Sequence, residues 1–361
     1  MQEALSMQVT KNVIELHPDE TVKIEPLNKA VINEFIESLD VKKKSDKTKE
    51  TYVNALNQFL RYIKANGITR PRESDIVAYR GDLEGRGLAN TSISSYLTVV
   101  RLFFEFTAYK EYYPNVAEHV ESAKISKFHK KDILAPHQFE RILNVMEQNT
   151  QAELIQLKQE QQEATRNAVK QNKQNRIDLV KQEALRNRAI IEIALSCALR
   201  MVEISRADIQ DLTNKSSGTV LYIQRKGETD KNYPMPIPEP LEKTLREYLS
   251  TRGRLDDTAP LFASTSNRNK GGRMTTQSLS RIIKTAFRNA GYDSDRLTAH
   301  SFRHTAITAV VKSTKDVTIA QQFAGHSNVE TTMTYYHANE IEANPSAGIV
   351  NNLFFNTEKA D

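Results

Sequence analysis

Cys197 is the only cysteine in 361 residues. A disulfide within the chain is therefore excluded, and so is a cysteine pair that could hold zinc. Its neighbours Leu195, Ala198 and Leu199 are apolar, so Cys197 is expected to be a small buried residue. No apolar run approaches the ~18 residues that cross a bilayer. The opening segment MQEALSMQVTKNVIELHPDE lacks both the apolar stretch and the small-residue cleavage site of a signal peptide. These absences predict a cytoplasmic protein without a membrane partner. GxGxxG, P-loop and HExxH motifs are also missing, so no cofactor or metal is expected.

The chain is long enough for two domains with separate cores. Its hydrophobic content of 39% and mean hydropathy of −0.56 suit a globular protein with a broad polar surface. A net charge of +5 and an isoelectric point near 9.0 permit a polyanionic partner without requiring one.

Residues 1–26 carry little pattern and read as an N-terminal arm. From Leu27 the period is helical: Ile32, Phe35, Ile36 and Leu39 form one apolar stripe. A second stripe, Tyr52, Leu56, Phe59, Leu60 and Ile63, ends before Gly67. A third runs from Ser74 to Glu84 through Ile76, Tyr79 and Leu83. A fourth begins near Asn90 or Thr91, both good caps, and carries Ile93, Tyr96, Val100, Phe103 and Phe104. The spacing predicts a helical bundle over 27–120. Lys42, Lys43, Lys44, Lys47 and Lys49 precede its second helix. They suit either a solvated helix entrance or a set of phosphate contacts.

Residues 121–133 form a basic linker in which Lys124, Lys127, Lys130 and Lys131 could track a DNA backbone, although a solvated linker looks the same. A second domain is expected over 134–340. Neither Gly nor Pro occurs from His137 to Ser217, which predicts helix. Within it, 148–186 is polar with only a thin stripe of Leu154, Leu157, Ala164 and Ala168, and reads as an exposed helical insertion. Thr219–Gln224 and Tyr233–Ile237 flank a polar turn and predict a small β-hairpin. Helical patterns return at 240–250, 276–290, 301–312 and 317–323. Residues 341–361 form a tail ending in Ile349, Val350, Leu353, Phe354 and Phe355.

Six polar residues punctuate the second domain, and each has an ordinary explanation when taken alone. Arg200 could cap a helix and pair with Glu203, and Lys226 could be a surface lysine in a hairpin turn. His300 and Arg303 could be an intrahelical polar pair. With His304 next in the chain, one of the two histidines is expected to point elsewhere. His326 follows Gly325, and Tyr335 and Tyr336 come shortly after. As a set they suit a phosphodiester. Arginines neutralise the non-bridging oxygens as charge grows, and histidines donate to them or handle protons. A lysine can protonate a leaving oxygen. A tyrosine, with an ordinary pKa of ~10, becomes a nucleophile where cations stabilise its phenolate.

The segments ALRMVEI, IQRKGETDKNYPMPIP, AHSFRH and AGHSNVETTMTYYH occur in an order that resembles the tyrosine recombinases, the phage-integrase and Xer-like enzymes. The spacings agree: 335 − 326 = 9 from His326 to Tyr335, and 326 − 303 = 23 from Arg303 to His326. The resemblance spans about residues 27–340, interrupted by the polar insertion. It implies a mainly α fold with a small antiparallel sheet, made of a helical core-binding domain and an α+β catalytic domain. It casts Arg200 and Arg303 as phosphate-binding arginines, Lys226 as general acid, His300 and His326 as proton and phosphate partners, Tyr335 as nucleophile and Glu203 as support. Tyr336 is the local rival. Ala198 departs from a position where glycine is common, and Phe323-Ala324 replaces the usual leucine before Gly-His.

The implied activity is DNA cleavage and rejoining through a 3′-phosphotyrosine and a Holliday junction. The implied partners are double-stranded DNA sites and a homotetramer, with the tail docking on its own domain or on a neighbour. Residues 1–26 are short for a separate arm-binding domain, which favours a simpler integrase or Xer-like enzyme. A type IB topoisomerase-like relaxing enzyme or an inert DNA-binding regulator on the same scaffold are the alternatives.

Overall fold

The computed structural model describes residues 28–41, 46–124, 133–225 and 227–342. The chain divides into two units, 1–127 and 128–361, and each has its own apolar core among the described residues.

The first unit contains helices α1 (Lys29–Val41), α2 (Asp46–Ala65), α3 (Glu73–Gly85) and α4 (Asn90–Tyr109). The apolar stripes meet as their period predicts. Ile32, Phe35, Leu56, Phe59, Tyr79, Phe103 and Phe104 are all buried. Their rings pack edge to face, with Phe35 on Phe103 and Phe59 on both Tyr79 and Phe104. Gly67 and Gly87 follow α2 and α3 with φ of 64° and 71°, the left-handed geometry that ends a helix. The expected cap of α4 differs. Ala89 is the N-cap, and the Asn90 side chain instead donates to the Lys124 carbonyl at 2.8 Å.

The second unit begins with two long helices, α5 (Pro136–Glu163) and α6 (Asn167–Ser196), which form an antiparallel pair. The polar insertion is thus the outer part of a helical hairpin. Leu154 and Leu157 form a small separate cluster with Ile177 and Val180, and Lys173–Glu160 and Arg176–Glu153 ion pairs flank them. The inner part of α6, including Ile190, Ile191 and Ile193, enters the main core.

Then come α7 (Met201–Arg206) and a three-stranded antiparallel sheet in the order β1-β2-β3. The strands are β1 (Leu212–Lys215), β2 (Gly218–Ile223) and β3 (Tyr233–Pro236). The expected hairpin is β2–β3, in the register Ile223 opposite Tyr233. β1 is an addition that the short, polar LTNK segment did not announce. Helices α8 (Glu239–Ser250), α9 (Thr276–Asn289), α10 (Ala299–Thr314), α11 (Val317–Ala324) and α12 (Glu330–Glu342) complete the unit. No helix of the described residues is long and apolar enough to cross a membrane.

Candidate active site

Four segments of the second unit, two connections and two helices, converge on one site. The first joins α6 to α7. Cys197 is buried, as expected, and Ala198 adopts φ 49°, the left-handed conformation that turns the chain. Arg200 is then the N-cap of α7. Glu203 Oε2 accepts from the Arg200 backbone N–H at 2.8 Å, and Oε1 from Arg200 Nη1 at 2.8 Å. Glu203 is 1% exposed, so its charge is tolerable only because arginine shares it.

α10 brings in Arg303, which is 2% exposed. Its Nη1 donates to the Ala198 carbonyl and its Nη2 to the Ala324 carbonyl, tying three segments together. Burial first, and the neighbouring Arg200 next, push its pKa down to about 10.

α11 ends at Gly325, whose φ of 58° and ψ of 49° form a left-handed C-cap. His326 follows directly. Its Nδ1 pairs with Thr332 Oγ1 at 2.8 Å. Burial, then Arg303, Arg200, Arg225 and His300, hold its pKa down at about 4, so the imidazole is neutral at physiological pH.

α12 carries Tyr335 and Tyr336, both packed against a small apolar cluster that includes Ala198, Ala306 and Ile307. The Tyr335 hydroxyl is hydrogen-bonded to His304 Nδ1. Burial raises its pKa to about 12, while Arg303 and Arg200 pull in the opposite direction. Its ring lies 5.3 Å from that of His304 and 6.4 Å from that of His326.

The structure therefore brings together Arg200, Glu203, Arg303, His326 and Tyr335. His300 is exposed and touches this group through His304, with ring centroids 4.7 Å apart. The expectation that one of the two histidines points away is corrected. Positions 300 and 304 lie one helical turn apart, so both rings face the same side of α10. Lys226 lies outside the described residues, as do Lys42, Lys43, Lys44, Lys127, Lys130, Lys131, the arm and residues 343–361 of the tail, whose first two residues end α12. Of the remaining lysines, Lys47 is well exposed beside Glu50, whereas Lys49 is held between Asp40 and Asp46.

Two members escaped the sequence reading. His304 contacts the tyrosine directly, and the signal was available in the four-residue spacing from His300. Arg225, 5% exposed, donates from Nη1 to Ala324 O at 3.0 Å and from Nη2 to Phe323 O at 3.2 Å. Nothing local distinguishes it from an ordinary turn arginine. A third feature was also missed. Gln277, Arg281, Lys284 and Arg288 line a basic groove along α9.

Both units of the chain resemble known proteins. Residues 133–342 match the phage integrase family, and residues 32–111 match the phage integrase N-terminal SAM-like domain. The tyrosine recombinase XerA of Pyrococcus furiosus is 26% identical over 309 residues, covering 86% of this chain and 90% of the relative. The solved structure of XerH bound to palindromic difH substrate, a post-cleavage complex, aligns with a TM-score of 0.64. It is 17% identical and covers 97% of this chain and 94% of that one. A lambda integrase tetramer bound to a Holliday junction aligns with a TM-score of 0.59 at 14% identity, covering 91% and 80%.

The fold and site define the class of the tyrosine recombinases, enzymes that break and rejoin DNA strands. This chain belongs to the phage integrase family. The relaxing-enzyme and inert-regulator alternatives are not favoured.

Proposed function

We propose that Tyr335 is the nucleophile of a site-specific DNA recombinase, and that Arg200, Arg303, His300, His326 and Lys226 serve its phosphate. The observation that carries this reading is the Tyr335 hydroxyl, set within one cluster of two arginines and three histidines. The phenolic oxygen attacks the scissile phosphorus, and the bond to the 5′ oxygen breaks. The products are a 3′-phosphotyrosine and a free 5′ hydroxyl. His304 Nδ1, already bonded to the phenol, accepts its proton, and Lys226 supplies one to the departing 5′ oxygen. Arg200 and Arg303 offset the charge that builds on the non-bridging oxygens, each guanidinium having five N–H donors. Neutral His326 donates a further hydrogen bond. A 5′ hydroxyl from a second duplex then attacks the phosphotyrosine and frees Tyr335. The bond energy stays in the phosphotyrosine, so no nucleotide hydrolysis enters the scheme.

Two rounds of exchange in a tetramer pass through a Holliday junction, consistent with the arrangement that the lambda integrase structure names. The first unit (27–120) acts as the core-binding domain and residues 134–340 as the catalytic domain. Residues 121–133 link them along the DNA, Lys47 and the other lysines before α2 contact backbone, and the tail docks on its own or a neighbouring protomer. A DNA substrate supports a cytoplasmic enzyme.

A pool of duplexes with randomised cores and single nicks tests the reading, because the short strand diffuses away after attack and leaves the protein attached to DNA. The intact chain should give covalent adducts whose peptide maps to Tyr335. Tyr335→Phe should bind the recovered duplex within about twofold and give no adduct, while Tyr336→Phe still gives one. An adduct that persists in Tyr335→Phe sinks the assignment.

A further inference from the structure

The end of α11 receives more capping than a helix of eight residues requires. Tyr233 of β3 donates its hydroxyl to Gln322 O at 2.8 Å. Arg225, just past β2, donates to the next two carbonyls, Phe323 O and Ala324 O. Its guanidinium lies over the Tyr233 ring, 4.0 Å from the centroid, and its Nη1 is 3.9 Å from Glu203 Oε1. The two strands of the hairpin thus hold three successive carbonyls, and the chain then turns through Gly325 into His326. The turn is fitted to this contact. A Cβ at position 325 would stand 2.5 Å from Arg225 Cζ, so only glycine admits the guanidinium there.

The cost of this arrangement argues that it has a use. Arg225 Nε is buried without a hydrogen-bond partner among the described residues. A third buried cation also stands near Arg200 and Arg303, and all three lower the pKa of His326. A neutral side chain could fill the same space without that repulsion. What it could not do is span two adjacent carbonyls with one rigid planar fork.

We infer that Arg225 is a positioning residue for strand cleavage: its fork clamps the β2–β3 hairpin to the last turn of α11 and thereby sets where His326 meets the phosphate. This rests on the recombinase reading for its consequence in catalysis, but its structural content does not. Arg225 uses both ends of its fork on the carbonyls of α11 and acts through the Gly325–His326 turn.

Two variants separate fork from charge. Arg225→Gln removes both, and Arg225→Lys keeps the charge but cannot bridge the two carbonyls. In the protein without DNA, NMR titration of the His326 imidazole should move upward from about 4 in Arg225→Lys as well as in Arg225→Gln. With the nicked duplex recovered by the wild-type chain, adduct formation should slow by roughly tenfold or more in both variants while affinity changes less than about twofold. Titration and cleavage in Arg225→Lys that both match wild type would overturn the proposal, since charge alone would then suffice. Should Arg225→Gln fail to fold, Arg225→Lys decides. Gly325→Ala gives an independent arm. Its loss of adduct rate should be smaller in an Arg225→Lys background than in wild type, and equal losses in the two backgrounds would refute the contact. If the wild-type chain attaches to no duplex, the recombinase reading fails, and the imidazole titration judges the Arg225 clamp by itself.

Discussion

A guanidinium carries five donors in a fixed plane, and the three arginines of this site use them differently. Arg200 faces Glu203, Arg303 joins two buried carbonyls, and Arg225 holds the end of α11. Glu203 balances this charge from a position almost closed to water. Glu203→Ala would leave the cations uncompensated, and should lower unfolding stability in urea by about 3–5 kcal/mol. A loss below about 1 kcal/mol would show that the carboxylate is dispensable. His326 supplies the pH dependence. The folded protein protonates it near pH 4, against 6.5 for an ordinary histidine, so between these values the unfolded chain binds more protons. Its contribution to stability is therefore complete above pH 6.5 and is lost as pH falls towards 4. In His326→Gln the melting temperature should decline less steeply across that window. Parallel slopes for variant and wild type would contradict the assignment.

Connections between elements aim much of the site, although helices carry most of its residues. Ala198 is the clearest case, since an alanine with φ 49° pays a left-handed strain of about 1–2 kcal/mol that glycine avoids. The departure noted in the sequence thus has a physical meaning: this position turns the chain from α6 into α7 and aims its carbonyl at Arg303. Ala198→Gly should raise stability by about 0.5–1 kcal/mol, measured as a higher urea midpoint at unchanged slope. An unchanged or lower midpoint would mean that the strain is relieved elsewhere. The helical hairpin of α5 and α6 shows the opposite relation. Its outer part has a small core of its own, and its sequence pattern disclosed that it packs thinly but not that it folds back on itself at residues 164–166. A breaker-free stretch predicts helix, whereas a turn made without Gly or Pro leaves no such mark.

Over the whole molecule, a modest net charge conceals a local concentration. The α9 groove gathers Arg281, Lys284 and Arg288, with Asp293 paired to the latter two. Arg281 makes no ion pair among the described residues and is the best placed to meet phosphate. Arg281→Ala should weaken DNA binding and reduce the slope of log affinity against log salt by about 1. An unaltered slope would remove this groove from the DNA surface. Lys49 carries the reverse lesson, because its charge is already engaged by Asp40 and Asp46. Counting lysines along the chain could not distinguish it from the exposed Lys47.

The sequence by itself determined the helices of the first unit, because apolar period and glycine stops are local properties. It also determined the order of the candidate site residues, because motif spacing is written along the chain. The tertiary structure alone decided that His304 meets Tyr335 and that Arg225 meets Ala324, 31 and 99 residues away. Periodicity tells which side of a helix is apolar, but not which distant carbonyl or hydroxyl the packed side will face. Those contacts arise only when separate segments close over one core, and at this site they orient the tyrosine and the histidines around it.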